Sequence, residues 1–287
     1  MIDLHTHSTA SDGLYSPTQL VELAVSRGLT ALALTDHDTV HGIAEAETAA
    51  RSGPITFIPG IELHIEWHPG EFHLLGLGLT GISQKLTEII SHLEQGRKSR
   101  NQEVIQRMKD DGFPVSEEEI TELYPDTIIG RPHIAAYLAG KQIVKTRQKA
   151  FDLYLAQGRP YYIERKGAQL TEAIEAIVSS GGVPVLAHPL SLYLSWSRLD
   201  SFFAEIKEQG IAGIEAWHPG ARAAECERLE KLAREHGFFV TAGSDFHGEQ
   251  IRPDRKLGYT AGGAAISDRF FTQELNPYLA VRTEAKH

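Results

Sequence analysis

Two alternating signals run through both ends of the chain: short apolar runs that finish in polar residues, and longer stretches of helical periodicity. "IDLHTH" (residues 2–7) reads as a strand. Alternate side chains of a strand share a face, so His5 and His7 point together. "SPTQLVELAVSRG" (16–28) reads as a helix, with Ser16 as N-cap, Pro17 in its first turn and Gly28 at its end. A strand "TALALTDHD" (30–38), a helix "VHGIAEAETAARSG" (40–53) and strands "ITFIPGIELHIEW" (55–67) and "EFHLLGLGL" (71–79) follow. The rhythm resumes with helices at 171–182, 197–210 and 224–237, each followed by a strand: "VPVLAHP" (183–189), "AGIEAWHP" (212–219) and "FFVTAGSDFH" (238–247). Such alternation predicts an α/β fold, a parallel sheet closed or nearly closed with helices outside.

The middle differs. Residues 83–112 carry the period of one long helix or a broken pair, and "SEEEITELY", "RPHIAAYLAG" and "TRQKAFDLYLAQG" continue it without a comparable strand. Residues 1–80 and 158–287 are therefore read as the barrel, and residues 81–157 as an all-helical insert able to cap its active-site face.

Composition sharpens this picture. The chain of 287 residues is 41% hydrophobic and 23% charged, within globular norms. No stretch reads as a membrane span or a secretory leader, so a soluble, cytoplasmic protein is expected. The single cysteine, Cys226, excludes an intrachain disulfide and a cysteine-built metal site. The net charge of −10 argues against stable binding to duplex DNA. Fourteen lysines and arginines against twelve acids leave residues 79–166 at +2 and the rest at −12. Nothing in the sequence bears on oligomeric state.

Chemistry gathers where the strands end. His5 and His7 close the first, with Asp12 in the following loop, and Asp36, His37 and Asp38 close the second. Glu62 lies on the third, His73 on the fourth, His188 at "AHP", and Asp245 and His247 at "SDFH". In a barrel of parallel strands these ends converge on one face, where such barrels place their chemistry. His5, His7, Asp12, His37, Glu62, His73, His188, Asp245 and His247 are too many ligands for one ion and imply two or three. A donor set rich in imidazole suits Mn²⁺, Fe²⁺ or Zn²⁺ better than Mg²⁺. Asp36 and Asp38, flanking His37, are candidates to orient a ligand imidazole. Cys226, within a helix, is read as inert.

In these motifs, "DLHTHSTASDG", "LTDHDTVHG", "GIE", "AHP" and "GSDFH", the chain resembles the polymerase-and-histidinol-phosphatase (PHP) phosphoesterases from Asp3 to His247. The resemblance implies a distorted (β/α)7 barrel with three divalent ions. By that pattern His5, His7, Glu62 and Asp245 hold one, Glu62 bridges to a second held with His73 and His188, and Asp12, His37 and His247 hold the third. "GRPHIAAYLAG" and "AFDLYLAQGRPYYI" are similar to the insert of a subgroup acting on nucleotides. That similarity implies hydrolysis of the 3′-phosphate of nucleoside 3′,5′-bisphosphates, or release of 5′-mononucleotides from short RNA, by a metal-activated water.

Arg131 and His133 in "GRPH" then become the expected clamp on a substrate phosphate. Arg165 and Lys166 are candidates for a second phosphate, and His218 for a phosphate ligand or general acid. Tyr161, Tyr162, Trp196 and Trp217 are candidates to stack a base. The alternatives are a small-molecule phosphatase of the histidinol-phosphate type, which the insert argues against, and a non-catalytic binding or regulatory module, which the complete ligand set argues against.

Overall fold

A computed structural model of the chain describes residues 1–125, 129–164 and 166–284, with 281–284 described by backbone alone. Its elements in chain order begin β1 (Ile2–Asp3), α1 (Pro17–Ser26), β2 (Ala31–Leu34), α2 (Ile43–Ala50), β3 (Thr56–Ile65) and β4 (Phe72–Leu77). Helices α3 (Gln84–Asp110), α4 (Glu117–Leu123), α5 (Arg131–Gly140) and α6 (Arg147–Ala150) follow. The chain continues through α7 (Leu170–Ser179), β5 (Val183–Leu186), α8 (Trp196–Glu208), β6 (Gly213–Trp217), α9 (Ala223–Glu235), β7 (Phe239–Ala242) and α10 (Asn276–Glu284). They divide into two compact units, Met1–Ile90 with Gly167–His287, and Ser91–Lys166.

The first unit holds a seven-stranded sheet whose spatial order is its sequence order, β1 to β7. A bridge between Thr6 and Phe246, just beyond β1 and β7, brings the two ends of the sheet together and nearly closes a barrel. The His7 N–H donates to the Phe246 carbonyl at 3.0 Å and the Asp245 N–H to the His5 carbonyl at 3.0 Å. The closing seam therefore runs through the candidate ligands of the first and last strands.

The strands are not all parallel. β4 runs antiparallel to both β3 and β5, the other pairs being parallel. The expectation of a parallel sheet fails here for a local reason. Only residues 66–71 join β3 to β4, and a parallel return needs a crossover of a dozen residues or more. This reversal is the distortion of the (β/α)7 barrel, and it puts His73 at the start of its strand rather than the end.

Helix α1 forms as its sequence predicts. Ser16 accepts the Gln19 N–H while the Gln19 side chain accepts the Ser16 N–H, and Pro17 needs no donor at that position. Its Leu20, Val21 and Ala24 pack with Leu32 and Leu34 of β2 in one buried cluster, each large side chain contributing about 2 kcal/mol. The first strand is shorter than expected: beyond Asp3 the His5 N–H turns to the Asp3 carboxylate at 3.3 Å, which also accepts from the Ser244 and Gly258 N–H groups.

The second unit is helical and has a core of its own, including Val104, Met108, Ile120, Ile134, Leu138 and Leu155. Helix α3 is continuous rather than broken. Among the described residues no helix is long and apolar enough to cross a membrane.

Candidate metal centre

The barrel unit brings all nine candidate ligands together around one carboxylate. Glu62, fully buried in β3, has His5 Nε2 at 3.3 Å, His7 Nε2 at 3.4 Å, His37 Nδ1 at 2.8 Å, His73 Nδ1 at 3.0 Å and His188 Nε2 at 3.1 Å. Asp245 Oδ1 lies 3.3 Å from His7 Nε2, and Asp12 Oδ1 lies 3.2 Å from His247 Nε2. Only glycine fits at Gly243, where a Cβ would come within 2.3 Å of the His5 Cβ and 2.6 Å of Glu215 Oε1. Two of the candidates hold unusual backbone conformations, His188 at φ 26° and Asp245 at φ 53°. Each costs about 1–3 kcal/mol, a strain typical of residues whose direction matters more than their comfort.

Hydrogen bonds fix how three of the imidazoles face. His247 Nδ1 lies 2.9 Å from the Asp245 carbonyl, which can only accept, so the proton is on Nδ1. His5 Nδ1 donates to Glu215 Oε1 at 3.0 Å. Ser191 Oγ donates to the Glu71 carbonyl, so it accepts from His188 Nδ1 at 2.9 Å. In each ring the proton on Nδ1 leaves Nε2 with a lone pair turned toward a carboxylate oxygen: Asp12 for His247, Glu62 for His5 and His188. Lone pair facing lone pair is repulsive unless positive charge lies between them. His5 Nε2, both His7 ring nitrogens, His73 Nδ1, Asp12 Oδ1 and Glu62 Oε2 are moreover buried without a hydrogen-bond partner. The donor chemistry thus fits divalent ions, and four overlapping groups bring ligand atoms within 4.8 Å of one another. These are His7, Asp12, His37, His247; His5, His7, Asp245; His5, Glu62, His188; and His37, Glu62, His73.

The electrostatics express the same demand for positive charge. Burial alone would push His5 down, but the Glu215 and Glu62 carboxylates hold it well above the usual imidazole value. His247, likewise buried, is raised to about 9 by Asp12 and Asp245. Burial, and then the neighbouring His247 and His37, depress His7 to about 3. Burial acts against the ionised Glu62 and Asp245, yet the surrounding imidazoles hold both well below the carboxylate range. Protons and cations compete for the same gaps.

Two residues outside that set complete the centre. His218 is buried, accepts the Gly220 N–H at Nδ1 (3.0 Å), and therefore carries its proton on Nε2, 3.4 Å from Asp245 Oδ2. Glu215 of β6 was missed in the sequence: besides His5 it accepts the His188 N–H at 2.9 Å. A signal was available, since Glu215 stands in a second "GIE", the same tripeptide that carries Glu62. The Asp36 carboxylate accepts from Ser8 N–H, Ser8 Oγ and Ser11 Oγ and so shapes the loop that presents Asp12; among the described residues it bonds no imidazole.

Of the remaining candidates, Arg131, His133, Tyr161, Tyr162 and Lys166 belong to the helical unit, and Trp196, Trp217 and Cys226 to the barrel unit. Arg131, at the start of α5, stacks over Tyr162 at 5.2 Å. His133 is buried and accepts the Gly130 N–H at Nδ1, 2.9 Å away. Lys166 is exposed, and Arg165 lies outside the described residues. Tyr161 is core, its hydroxyl on Asp111, and Trp217 donates to Glu230. Cys226 is buried, and burial pushes its thiol up, consistent with inertness.

A family model of the PHP domain matches residues 3–178. A 5′-3′ exoribonuclease of Haemophilus influenzae is 34% identical over 85% of this chain and 89% of its own. A 3′,5′-nucleoside bisphosphate phosphatase of Chromobacterium violaceum is 31% identical over 86% of this chain and 87% of its own. The structure of a metal-dependent phosphoesterase from Bifidobacterium adolescentis superposes with a TM-score of 0.84 at 30% identity, covering 96% of this chain and 95% of that one.

Proposed function

This chain belongs to the PHP domain family, and from that premise we propose that it is a metal-dependent phosphoesterase of nucleotides. Its reaction is removal of the 3′-phosphate from nucleoside 3′,5′-bisphosphates, release of 5′-mononucleotides from short 5′-phosphorylated RNA, or both. The observation that carries the reading is the set of three imidazoles whose Nδ1 protons are held by acceptors while Nε2 faces carboxylates. This is how metal-binding histidines are oriented from behind. The substrate class is supported by the two relatives of nearly equal length that are named for these activities.

In this reading His5, His7, Asp12, His37, Glu62, His73, His188, Asp245 and His247 would hold three divalent ions, of Mn²⁺, Fe²⁺ or Zn²⁺. Such ions supply Lewis acidity toward phosphoryl oxygens and make water acidic enough to ionise near neutral pH. The chain's own residues do the rest. Glu215 and Ser191 keep His5 and His188 from rotating. His218, with Nδ1 occupied by the Gly220 N–H, presents Nε2–H as a donor to a phosphoryl oxygen. Arg131, His133, Arg165 and Lys166 supply the positive charge and donors that hold substrate phosphate, Arg131 by its two-pronged guanidinium. The reading also places the protein in the cytoplasm.

The test compares phosphate and nucleotide release by Mn²⁺-loaded protein from adenosine 3′,5′-bisphosphate, a 5′-phosphorylated short RNA and histidinol phosphate. Turnover of either of the first two is expected. Glu62→Gln should reduce it by at least about 10²–10³-fold, together with bound metal per chain. Hydrolysis of histidinol phosphate alone would overturn the substrate assignment.

A further inference from the structure

A guanidinium lies buried beside the candidate metal centre, on the segment that follows the last strand. Arg255 is 7% exposed, and its Nε is enclosed without a hydrogen-bond partner. Asp254 Oδ2 at 3.5 Å and Asp245 Oδ2 at 3.9 Å lie too far from that Nε for good hydrogen bonds. Asp254 is exposed and also serves Arg252, 3.3 Å from its Nε and 3.4 Å from its Nη2. Were Asp245 given over to divalent ions, two arginines would share one solvated carboxylate. Burying a guanidinium without a close anion is costly, so the placement of Arg255 calls for a negatively charged partner.

The chain is shaped to hold Arg255 there. Gly248 turns it at φ 106°, where a Cβ would lie 2.4 Å from the Leu14 Cβ. The Gly248 carbonyl accepts the Ile251 N–H at 3.0 Å and the Arg252 N–H at 2.9 Å, and the Arg255 N–H donates to the Arg252 carbonyl at 3.0 Å. The Gly258 N–H then anchors the segment on the Asp3 carboxylate at 2.8 Å. At Gly220, in the loop after β6, a Cβ would come within 2.8 Å of His218 Nδ1 and 3.3 Å of Arg255 Nη2, so the absence of a side chain leaves both groups their places. His218 Nε2 lies 3.4 Å from Asp245 Oδ2, the oxygen that Arg255 also faces, whereas Asp245 Oδ1 faces His7 at 3.3 Å and His247 at 3.5 Å. Asp245 therefore has candidate ligand imidazoles along one edge and a pair of donors along the other.

We propose that Arg255 is a catalytic residue which, together with His218, binds a non-bridging oxygen of the phosphoryl group under attack. This rests on the phosphoesterase reading above. In the hydrolysis a water oxygen bonds to phosphorus, the ester P–O bond breaks with its electron pair on the leaving oxygen, and that oxygen takes a proton that came from the water. Arg255 neither gives nor takes a proton. A guanidinium is always charged and offers its donors in a fixed fork, so it stabilises charge on phosphoryl oxygens throughout the step. Such a residue serves any phosphoester that reaches the centre and governs rate rather than the choice of nucleoside.

The experiment compares Mn²⁺-loaded wild type with Arg255→Ala on adenosine 3′,5′-bisphosphate and on a 5′-phosphorylated short RNA, with bound metal per chain measured in both proteins. Metal content should be unchanged while kcat falls roughly 10²–10³-fold on whichever substrate wild type turns over. Added guanidinium should restore part of that loss. Undiminished kcat overturns the proposal. A loss of metal that accounts for the loss of activity, or a loss of activity that guanidinium does not relieve, makes Arg255 a support for Asp245 and also overturns it. If Arg255→Ala does not fold, Arg255→Lys, which keeps the charge and loses the fork, decides at equal metal content: a fall in kcat of about 10-fold or more supports the proposal, and an equal kcat overturns it. Should wild type hydrolyse neither compound, the functional reading fails. Calorimetric titration of the Mn²⁺-loaded proteins with inorganic phosphate then decides the residue: binding about 10-fold weaker in the variant supports its role, and equal affinity overturns it.

Discussion

Glu62 is a carboxylate that five imidazoles approach, and its neighbours are useful only if those rings keep their direction. Glu215 supplies that for His5, 1% exposed and 3.0 Å from Nδ1. Glu215→Gln keeps the shape and loses the charge that holds the Nδ1 proton in place. Metal affinity should fall by roughly 10–100-fold, with activity recovering as metal is raised. A metal titration of the two proteins checks this, and equal affinities would leave Glu215 without an orienting role. Glu62 was legible because it stands inside an apolar strand, where a lone carboxylate demands a reason. Glu215 stands in a similar run, but its purpose depends on a ring 210 positions earlier, a relation that no local pattern contains.

At the scale of elements, the barrel depends on ties between a strand and the helices outside it. Glu230 of α9 accepts from Trp217 Nε1 of β6, from Arg234 one turn on, and from Arg269 ahead of α10. Burial pushes this carboxyl up, but the bonds from Arg269, Trp217 and Arg234 outweigh it and hold it at about 2. A carboxyl depressed in the folded state stabilises fully above its unfolded value of 4.5, and that stability is lost as pH falls toward 2. The shift is worth about 3 kcal/mol at most. Denaturant unfolding between pH 5 and pH 2 should therefore show wild type losing more stability than Glu230→Gln, by up to that amount; parallel curves would mean that the tie contributes nothing. Helix α1 was legible to its caps, because Ser16, Pro17 and Gln19 act within four residues. The direction of β4 was missed, although the shortness of the segment before it carried the signal.

For the whole molecule, the segments that follow the first and last strands meet at the candidate metal centre. The seam that closes the barrel pairs His5 and His7 with Asp245 and Phe246, so cations bound by these residues should stabilise the closed barrel. Each ion present at a hundred times its dissociation constant adds about 2.7 kcal/mol to folding. Chelation should thus lower the melting temperature by several degrees, with hydrogen exchange rising first at residues 5–7 and 245–247. An unchanged melting curve after complete removal of metal would separate the two events. The net charge of −10 points the same way, since bound cations offset the crowding of carboxylates.

The sequence by itself determined the alternation of strands and helices, the separate helical stretch and the identity of nine candidate ligands, because each follows from spacing over a few residues. It also led to His218, which follows a strand as the ligands do. Only the tertiary structure decided which imidazole faces which carboxylate, which acceptor orients each ring, and that Arg255 is buried beside Asp245. The physical reason is range. Periodicity records what a residue's own strand or helix does, whereas charge pairing and desolvation depend on groups brought together by register, closure and packing from positions far apart in the chain.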